Sequence, residues 1–355
     1  MNSSLLSQQL FDIAHASEIS AARRYGQNLA EALKFDETRA GRLAILVTEI
    51  ATNLLKHAGG GKLLLSHTQP NGLDAIDVLA IDKGPGISNL DFSFLDGNSS
   101  TGTPGNGLGA LQRLSDEFDV YTEPGKGSAF FMRLWQAEPA ADIGGGKKGG
   151  LQSGAVCVPV RGEDVCGDAW GVAGKVDNTG SFTVMMSDGL GHGPDAAAAS
   201  IAAIGELGLH QGEPLEDLLK ATHAALRATR GAALAVAGIN LQDATVSFAG
   251  VGNISACVIN NHASAEAGGQ RRRQFMSHNG IVGNNIRKVQ EFSLPFPPGA
   301  LFILHSDGIN TQWDLDRYPG LANRHPALIA GILLRDFERG RDDATVLVIR
   351  NPGQG

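Results

Sequence analysis

Residues 141–150 read ADIGGGKKGG and follow a Glu-Pro-Ala break at 138–140. A stretch so rich in glycine and lysine has almost no apolar surface to bury and behaves as a flexible linker. It therefore excludes one continuous core across the chain. With 355 residues, each side is long enough to fold alone. The expected organisation is a domain over 1–140, a linker over 141–150 and a second domain over 151–351, with a frayed tail. The 47 glycines show no triplet period, which points to many tight loops and not to collagen.

Both halves lean acidic, with 16 Asp+Glu against 11 Lys+Arg in residues 1–140 and 21 against 18 in the remainder. The net charge of −8 advertises neither a nucleic-acid face nor an anionic-membrane patch. The first twenty residues lack a basic start and a long apolar run, and no later run reaches the length of a membrane span. Three cysteines without a CxxC pair suggest neither a disulfide framework nor a zinc knuckle. The expected location is the cytoplasm.

In the first half, Leu43, Leu46, Ile50 and Leu54 recur at helical spacing and predict a helix over 38–57. Strands are expected at 62–66, 75–81 and 128–135, with a helix over 108–118, which makes this half α+β. In the second half strands are expected at 169–173, 181–187, 233–241, 245–250, 300–305 and 344–350. Helices are expected over 194–209 and 214–229, outside two sheets. Residues 260–274, with three consecutive arginines, read as a solvated hairpin loop.

Glu49 and Asn53 lie one turn apart on the first helix, and Lys56 and His57 extend the same polar face. A solvated stripe would explain these residues alone. After the strand ending at Ile81 comes Asp82-Lys83-Gly84-Pro85-Gly86. Some twenty residues later, STGTPGNGLG at 100–109 runs into a helix. Glycines there let the backbone close on an anion, and a helix start aims unsatisfied amides at it.

In that order, the three elements resemble the GHKL (Bergerat) ATP-binding α/β sandwich of gyrase, Hsp90, histidine kinases and anti-sigma serine kinases. SAARRYGQNLA at 20–30 and EIATNLLKHAGGG at 49–61 narrow the resemblance to the switch kinase of the stressosome. The resemblance implies that Asn53 holds Mg²⁺ on the nucleotide phosphates and that Asp82 accepts the adenine amine. Gly84 and Gly86 would give the base room. Lys56 and His57 would border the nucleotide, and Gly102, Gly105, Gly107, Leu108 and Gly109 would form the phosphate lid. Glu49 would act as base on the incoming hydroxyl. No phosphoacceptor-histidine hairpin precedes the site, and His15 lacks that setting, which excludes a histidine kinase.

The second constellation is acidic. Asp188-Gly189 and Asp307-Gly308 each follow an apolar strand and a serine, Asp168 follows Gly167, and Asp342-Asp343 precedes the last strand. A single Asp-Gly is commonly a turn. Several carboxylates gathered at strand ends repel unless a cation joins them, and oxygen donors favour Mg²⁺ or Mn²⁺.

GDAW, SDGLGHG, SDGI and RDDATVLVI resemble the sporulation and stress-response branch of the PP2C-type phosphatases, an α-β-β-α sandwich. The resemblance implies two divalent ions. Asp188 would bridge them with help from the Gly189 carbonyl, Asp307 and Asp342 would complete the first, and Asp168 would hold a water beside them. Asp343 would support these ligands. His192 is open between proton donor and local hydrogen bonding, and Cys166 is expected to pack. Gly-Asp-Ala-Trp-Gly stands where many relatives have GDYYD, so the metal number stays open.

Together the resemblances imply a bifunctional partner-switching regulator. An ATP-dependent serine/threonine kinase module and a metal-dependent phosphoserine/phosphothreonine phosphatase module would act on STAS-domain proteins. A sigma factor or signalling enzyme would lie downstream, and the oligomeric state stays open. The alternative is a phosphatase whose first domain binds ATP to regulate partners without transferring phosphate.

Overall fold

A computed structural model describes residues 8–90, 107–138, 151–174, 180–260, 271–286 and 289–353. The chain divides into two compact units, with the cut between Lys147 and Lys148 inside the glycine-rich stretch. Among the described residues, one segment departs from sequence order: Asn323–Arg335 belongs to the first unit.

The first unit is an antiparallel sheet in the order β1-β2-β3-β5-β4, built from β1 (Gln8–Ile13), β2 (Gly61–Thr68), β3 (Ala75–Ile81), β4 (Glu117–Glu123) and β5 (Gly127–Trp135). Helices α1 (Ala16–Ala32), α2 (Glu37–Ala58) and α3 (Gly107–Leu114) accompany it. Helix α2 starts where the Asp36 carboxylate accepts the Arg39 amide at 2.8 Å, and it ends at Gly59 with φ +74°. Its apolar stripe of Leu43, Leu46, Val47, Ile50 and Leu54 is buried with Leu63, Leu65, Val78, Phe130 and Met132 of the sheet. Each such side chain contributes about 2 kcal/mol of burial, an upper figure against a compact unfolded chain.

The other face of this sheet is buried too, since all nine residues of β5 are buried. Its cover is Asn323–Arg335, most of which forms α6 (Pro326–Phe337). The His325 ring stacks on Phe131 with centroids 3.7 Å apart, and the Asp119 carboxylate accepts the His325 amide at 2.6 Å. Gly331 lies so close to Leu79 and Ile81 that an added Cβ would stand 3.0 Å from Ile81 Cγ2. Gly331→Leu is expected to lower unfolding stability by about 1–3 kcal/mol through overpacking, and thermal denaturation of the full chain measures it.

The second unit stacks two antiparallel five-stranded sheets. One, in the order β13-β10-β9-β8-β7, contains β7 (Asp168–Gly174), β8 (Ser181–Gly189), β9 (Ala232–Asn240), β10 (Thr245–Val251) and β13 (Phe292–Pro295). The other, β12-β11-β14-β15-β6, contains β6 (Gln152–Val158), β11 (Ser255–Ile259), β12 (Arg272–Gln274), β14 (Leu301–His305) and β15 (Ala344–Arg350). Alternate residues point inward. Val184, Met186, Ala237 and Phe248 of the first sheet share a core with Phe302, Leu304 and Leu347 of the second. Met185, Leu234 and Val236 face outward onto α4 (Pro194–Leu209) and α5 (Leu215–Ala225).

Three expectations change. The helix expected over 108–118 stops at Leu114, and Glu117 already belongs to β4. Asp116 accepts the Trp135 amide at 2.9 Å and pairs with Arg39 and Arg42, which turns the chain into the sheet. The helix expected over 214–229 is α5 followed by a separate 3₁₀ turn at Leu226–Ala228. In the arginine run, Arg272 is not a solvated loop residue. It pairs within β12, its guanidinium lies 3.8 Å from the Trp313 ring centroid, and it donates to the Trp313 carbonyl at 2.8 Å.

Candidate functional site: a buried aspartate turn and an acidic cluster

In the first unit, α2 presents Glu49 and Asn53 part-buried, and Lys56 and His57 exposed in its last turn. Asp82 leaves the end of β3 almost fully buried, at 6% exposure. Its carboxylate accepts the Gly84 amide at 2.8 Å and the Ser128 amide at 3.2 Å. Burial pushes its pKa up, while those amides and the Arg335 guanidinium oppose the rise.

The glycines after Asp82 answer to the protein itself. An added Cβ on Gly84 would stand 2.7 Å from Ala58 at the end of α2. One on Gly86, where φ is +68°, would stand 2.1 Å from the Glu123 carbonyl oxygen. They thus lock the Asp82 loop to α2 and β4, a tighter requirement than room for a base. Gly107, Leu108 and Gly109 open α3, whereas Gly102 and Gly105 lie outside the described residues. A helix start at this place presents amides suited to an anion.

In the second unit, antiparallel register carries the acids to one end of the sandwich. Asp168 opens β7 directly opposite Asp188 near the end of β8. Asp307 follows β14, and Asp342 and Asp343 precede β15, its antiparallel neighbour. Ser306 donates its amide to the Thr345 carbonyl at 3.0 Å, which keeps these two turns side by side.

The acids sense one another. Burial, then the charges of Asp168, Asp307, Asp342 and Asp343, push the Asp188 carboxyl up to about 8. Burial chiefly raises Asp168 to about 7, and Asp307 is raised by burial and by Asp342. Among the described residues, however, no three Asp, Glu, His or Cys side chains enclose a common cation position. The carboxylates share one end of the fold without converging on a single point.

Two observations fit a divalent cation here. Asp168 Oδ2 is a buried oxygen without a hydrogen-bond partner, a costly arrangement that a cation would relieve. The donors are oxygens throughout, which suits Mg²⁺ or Mn²⁺.

Asp343 supports this end of the fold in a definite way. Its buried carboxylate accepts the Val160 amide at 2.7 Å and the Gly167 amide at 2.8 Å, tying the approach to Asp168 onto the start of β15. His192 Nδ1 lies 2.7 Å from Glu163, the local hydrogen bond that was one of its two readings. Cys166 Sγ lies 3.5 Å from Cys157 Sγ, and all three cysteines are free.

Sequence reasoning passed over Asn253, whose amide donates to Asp307 Oδ2 at 2.7 Å. Its signal was available in Gly250-Val251-Gly252-Asn253. Gly252, at φ +101°, would place a Cβ 2.4 Å from that of Ala233, the β9 residue paired with Asp188. A turn so constrained beside the acids marks its asparagine as used.

Fold and site together define an α/β sandwich with a buried aspartate turn, linked to an acid-rich β-sandwich. The family described as "Histidine kinase-like ATPase domain" matches residues 14–133, and "Stage II sporulation protein E (SpoIIE)" matches residues 178–352. The chain belongs to both, as a fusion of a histidine kinase-like ATPase domain with a SpoIIE-type PP2C phosphatase domain. The first part is 32% identical over 118 residues to the serine/threonine-protein kinase RsbT of Bacillus subtilis, covering 33% of this chain and 89% of that one. The second is 25% identical over 150 residues to the phosphoserine phosphatase RsbX of the same organism, covering 42% of this chain and 70% of that one.

A solved structure described as "The bacterial stressosome: a modular system that has been adapted to control secondary messenger signaling" is also similar. It is 26% identical with a TM-score of 0.50, over 56% of this chain and 99% of that chain. No helix among the described residues is long and apolar enough to cross a membrane.

Proposed function

We propose that this protein is a partner-switching enzyme that both adds and removes phosphate on serine or threonine of STAS-domain proteins. The observation that carries the reading is that Asp168 and Asp188 face one another across β7 and β8, each raised by burial and by neighbouring aspartates, with one buried Asp168 oxygen left without a hydrogen-bond partner. Carboxylates do not gather this way for stability. The similarity to a serine/threonine kinase and to a phosphoserine phosphatase supports the pairing of activities.

In the phosphatase half, Asp188, the Gly189 carbonyl, Asp307 and Asp342 would hold two divalent cations, with Asp168 ordering a water beside them. When bound, such cations supply a water acidified toward neutral pH and neutralise phosphoryl oxygens. The chain itself orients the ligands: Asn253 fixes one Asp307 oxygen, and Asp343 pins the loop before Asp168. In the kinase half, Asp82 would accept the adenine amine, Asn53 would help hold the phosphate-bound Mg²⁺, and Glu49 would take the proton of the attacking hydroxyl. Gly107 to Gly109 would begin the amide cradle for the phosphates.

The purified chain incubated with a STAS-domain protein, labelled ATP and Mn²⁺ tests this. Label is expected to appear on serine or threonine and to be released on adding excess unlabelled ATP. Failure to label or to release would overturn the corresponding half. Independently, hydrolysis of an aryl phosphate is expected to need Mn²⁺ and to fall by at least about a hundredfold in Asp307→Ala or with a chelator. Turnover without added metal and in the presence of chelator would contradict the acidic site.

A further inference from the structure

Asp82 is held on several sides. Its amide donates to the Ser128 carbonyl at 2.9 Å, and its carboxylate accepts two amides of the same unit. Its own carbonyl oxygen accepts from Arg335 Nη1 at 3.2 Å. Arg335 lies 253 residues further along the chain, in the segment that covers the second face of the sheet. An arginine at 8% exposure carries a charge out of water, and so needs partners good enough to offset its desolvation.

We propose that Arg335 is a positioning residue of the nucleotide site, holding the Asp82 turn so that its carboxylate faces the adenine amine. The proposal rests on the nucleotide reading above. Three features of the fold make it physical. Gly127, with φ +94°, leaves no side chain over the Asp82 carbonyl, where a Cβ would stand 2.1 Å from that oxygen. Helix α6 cannot drift, because His325 stacks on Phe131 and Gly331 abuts Leu79 and Ile81. The charge of Arg335 also favours the ionised, accepting form of Asp82, against the effect of its burial. Glu123, which also senses Arg335, pairs with Lys126 at 2.7 Å and accepts the Tyr121 hydroxyl at 2.6 Å.

The geometry assigns part of adenine recognition to a helix that the sequence places in the phosphatase half. An arginine suits this position because its planar fork can reach a carbonyl while its charge faces a carboxylate.

The test is ATP binding by the full chain, measured calorimetrically for the unaltered protein, Arg335→Met, Arg335→Lys, Asp82→Asn and the double variant Asp82→Asn/Arg335→Met. Arg335→Met is expected to weaken ATP about tenfold, the effect of losing a hydrogen bond to a charged group, and Arg335→Lys to recover most of that loss. In the Asp82→Asn background the same change to Met is expected to add less than about twofold, because the two residues act through one contact. Equal losses in both backgrounds would make Arg335 a structural cation only and overturn the proposal. So would unchanged affinity in Arg335→Met. If Arg335→Met does not fold, Arg335→Gln, which likewise removes the charge, carries the same comparison in both backgrounds. Absence of ATP binding by the unaltered chain would instead remove the nucleotide reading beneath it.

Discussion

Asp188→Ala is expected to abolish phosphatase turnover, by at least about a thousandfold, while ATP binding by the same chain stays unchanged. Asp188 sits where β8 is flanked on both sides, by Asp168 of β7 and Ala233 of β9. The position also sets a sign for pH. An ordinary aspartate ionises near 3.8, whereas Asp188 in the folded chain does so at about 8. Between those values the folded state holds a proton that the unfolded state has released. Stability from this group is therefore greatest in acid and declines as pH rises toward 8. Asp168, at about 7, acts in the same direction.

A divalent cation replaces the proton as the neutralising charge. The chelator-treated protein is expected to melt at a lower temperature at pH 8 than at pH 6, with saturating Mn²⁺ narrowing the difference. Asp188→Ala should flatten that slope as well as end turnover. A variant that loses turnover but keeps the full pH slope would show that the acids interact elsewhere than at the reacting centre.

The strands and helices that carry alternating or helical apolar patterns were legible from residues alone, as with α2 and the buried run of β14. Elements anchored by distant partners were not. Strand β4 starts at Glu117, inside a stretch with helical periodicity, because Asp116 is captured by Arg39, Arg42 and the Trp135 amide. Strand β12 begins at Arg272, whose partner, Trp313, lies some forty residues away. Helix α6 is apolar on every face from Pro326 to Leu334, and no local pattern says which surface it meets; all of Pro326–Arg335 is buried.

The same division runs through the site. Asp82, Asp188, Asp307 and the Asp342-Asp343 pair stand out because an acid at either end of an apolar strand is placed at a sheet end by the strand's own geometry. Asn253 and Arg335 do not stand out, since each acts on its acid through a contact between residues 54 and 253 positions apart. Gly84 and Gly86 stood out for one reason and serve another. Both are required by backbone approaching backbone, which fixes the Asp82 loop whether or not a base is present.

Glu49→Gln is expected to reduce phosphate transfer to a STAS-domain protein by about a hundred- to a thousandfold, the usual contribution of a positioned general base. ATP affinity should remain within about twofold, since the amide keeps the size and helix placement of the carboxylate while losing its ability to take a proton. The helix is built to tolerate the change. Its buried stripe runs through Leu46, Ile50 and Leu54, whereas Glu49 is only part-buried and outside it. The flanking threonines, Thr48 and Thr52, return their hydroxyls to the carbonyls four residues earlier at 2.7 and 2.6 Å, so the local backbone does not lean on Glu49. Phosphatase activity on an aryl phosphate serves as the internal standard for intact protein. Transfer that persists undiminished in Glu49→Gln would refute the base. If neither the unaltered chain nor the variant transfers phosphate while both bind ATP, the first unit is a nucleotide-gated binding module, and its occupancy then controls which partner the phosphatase meets.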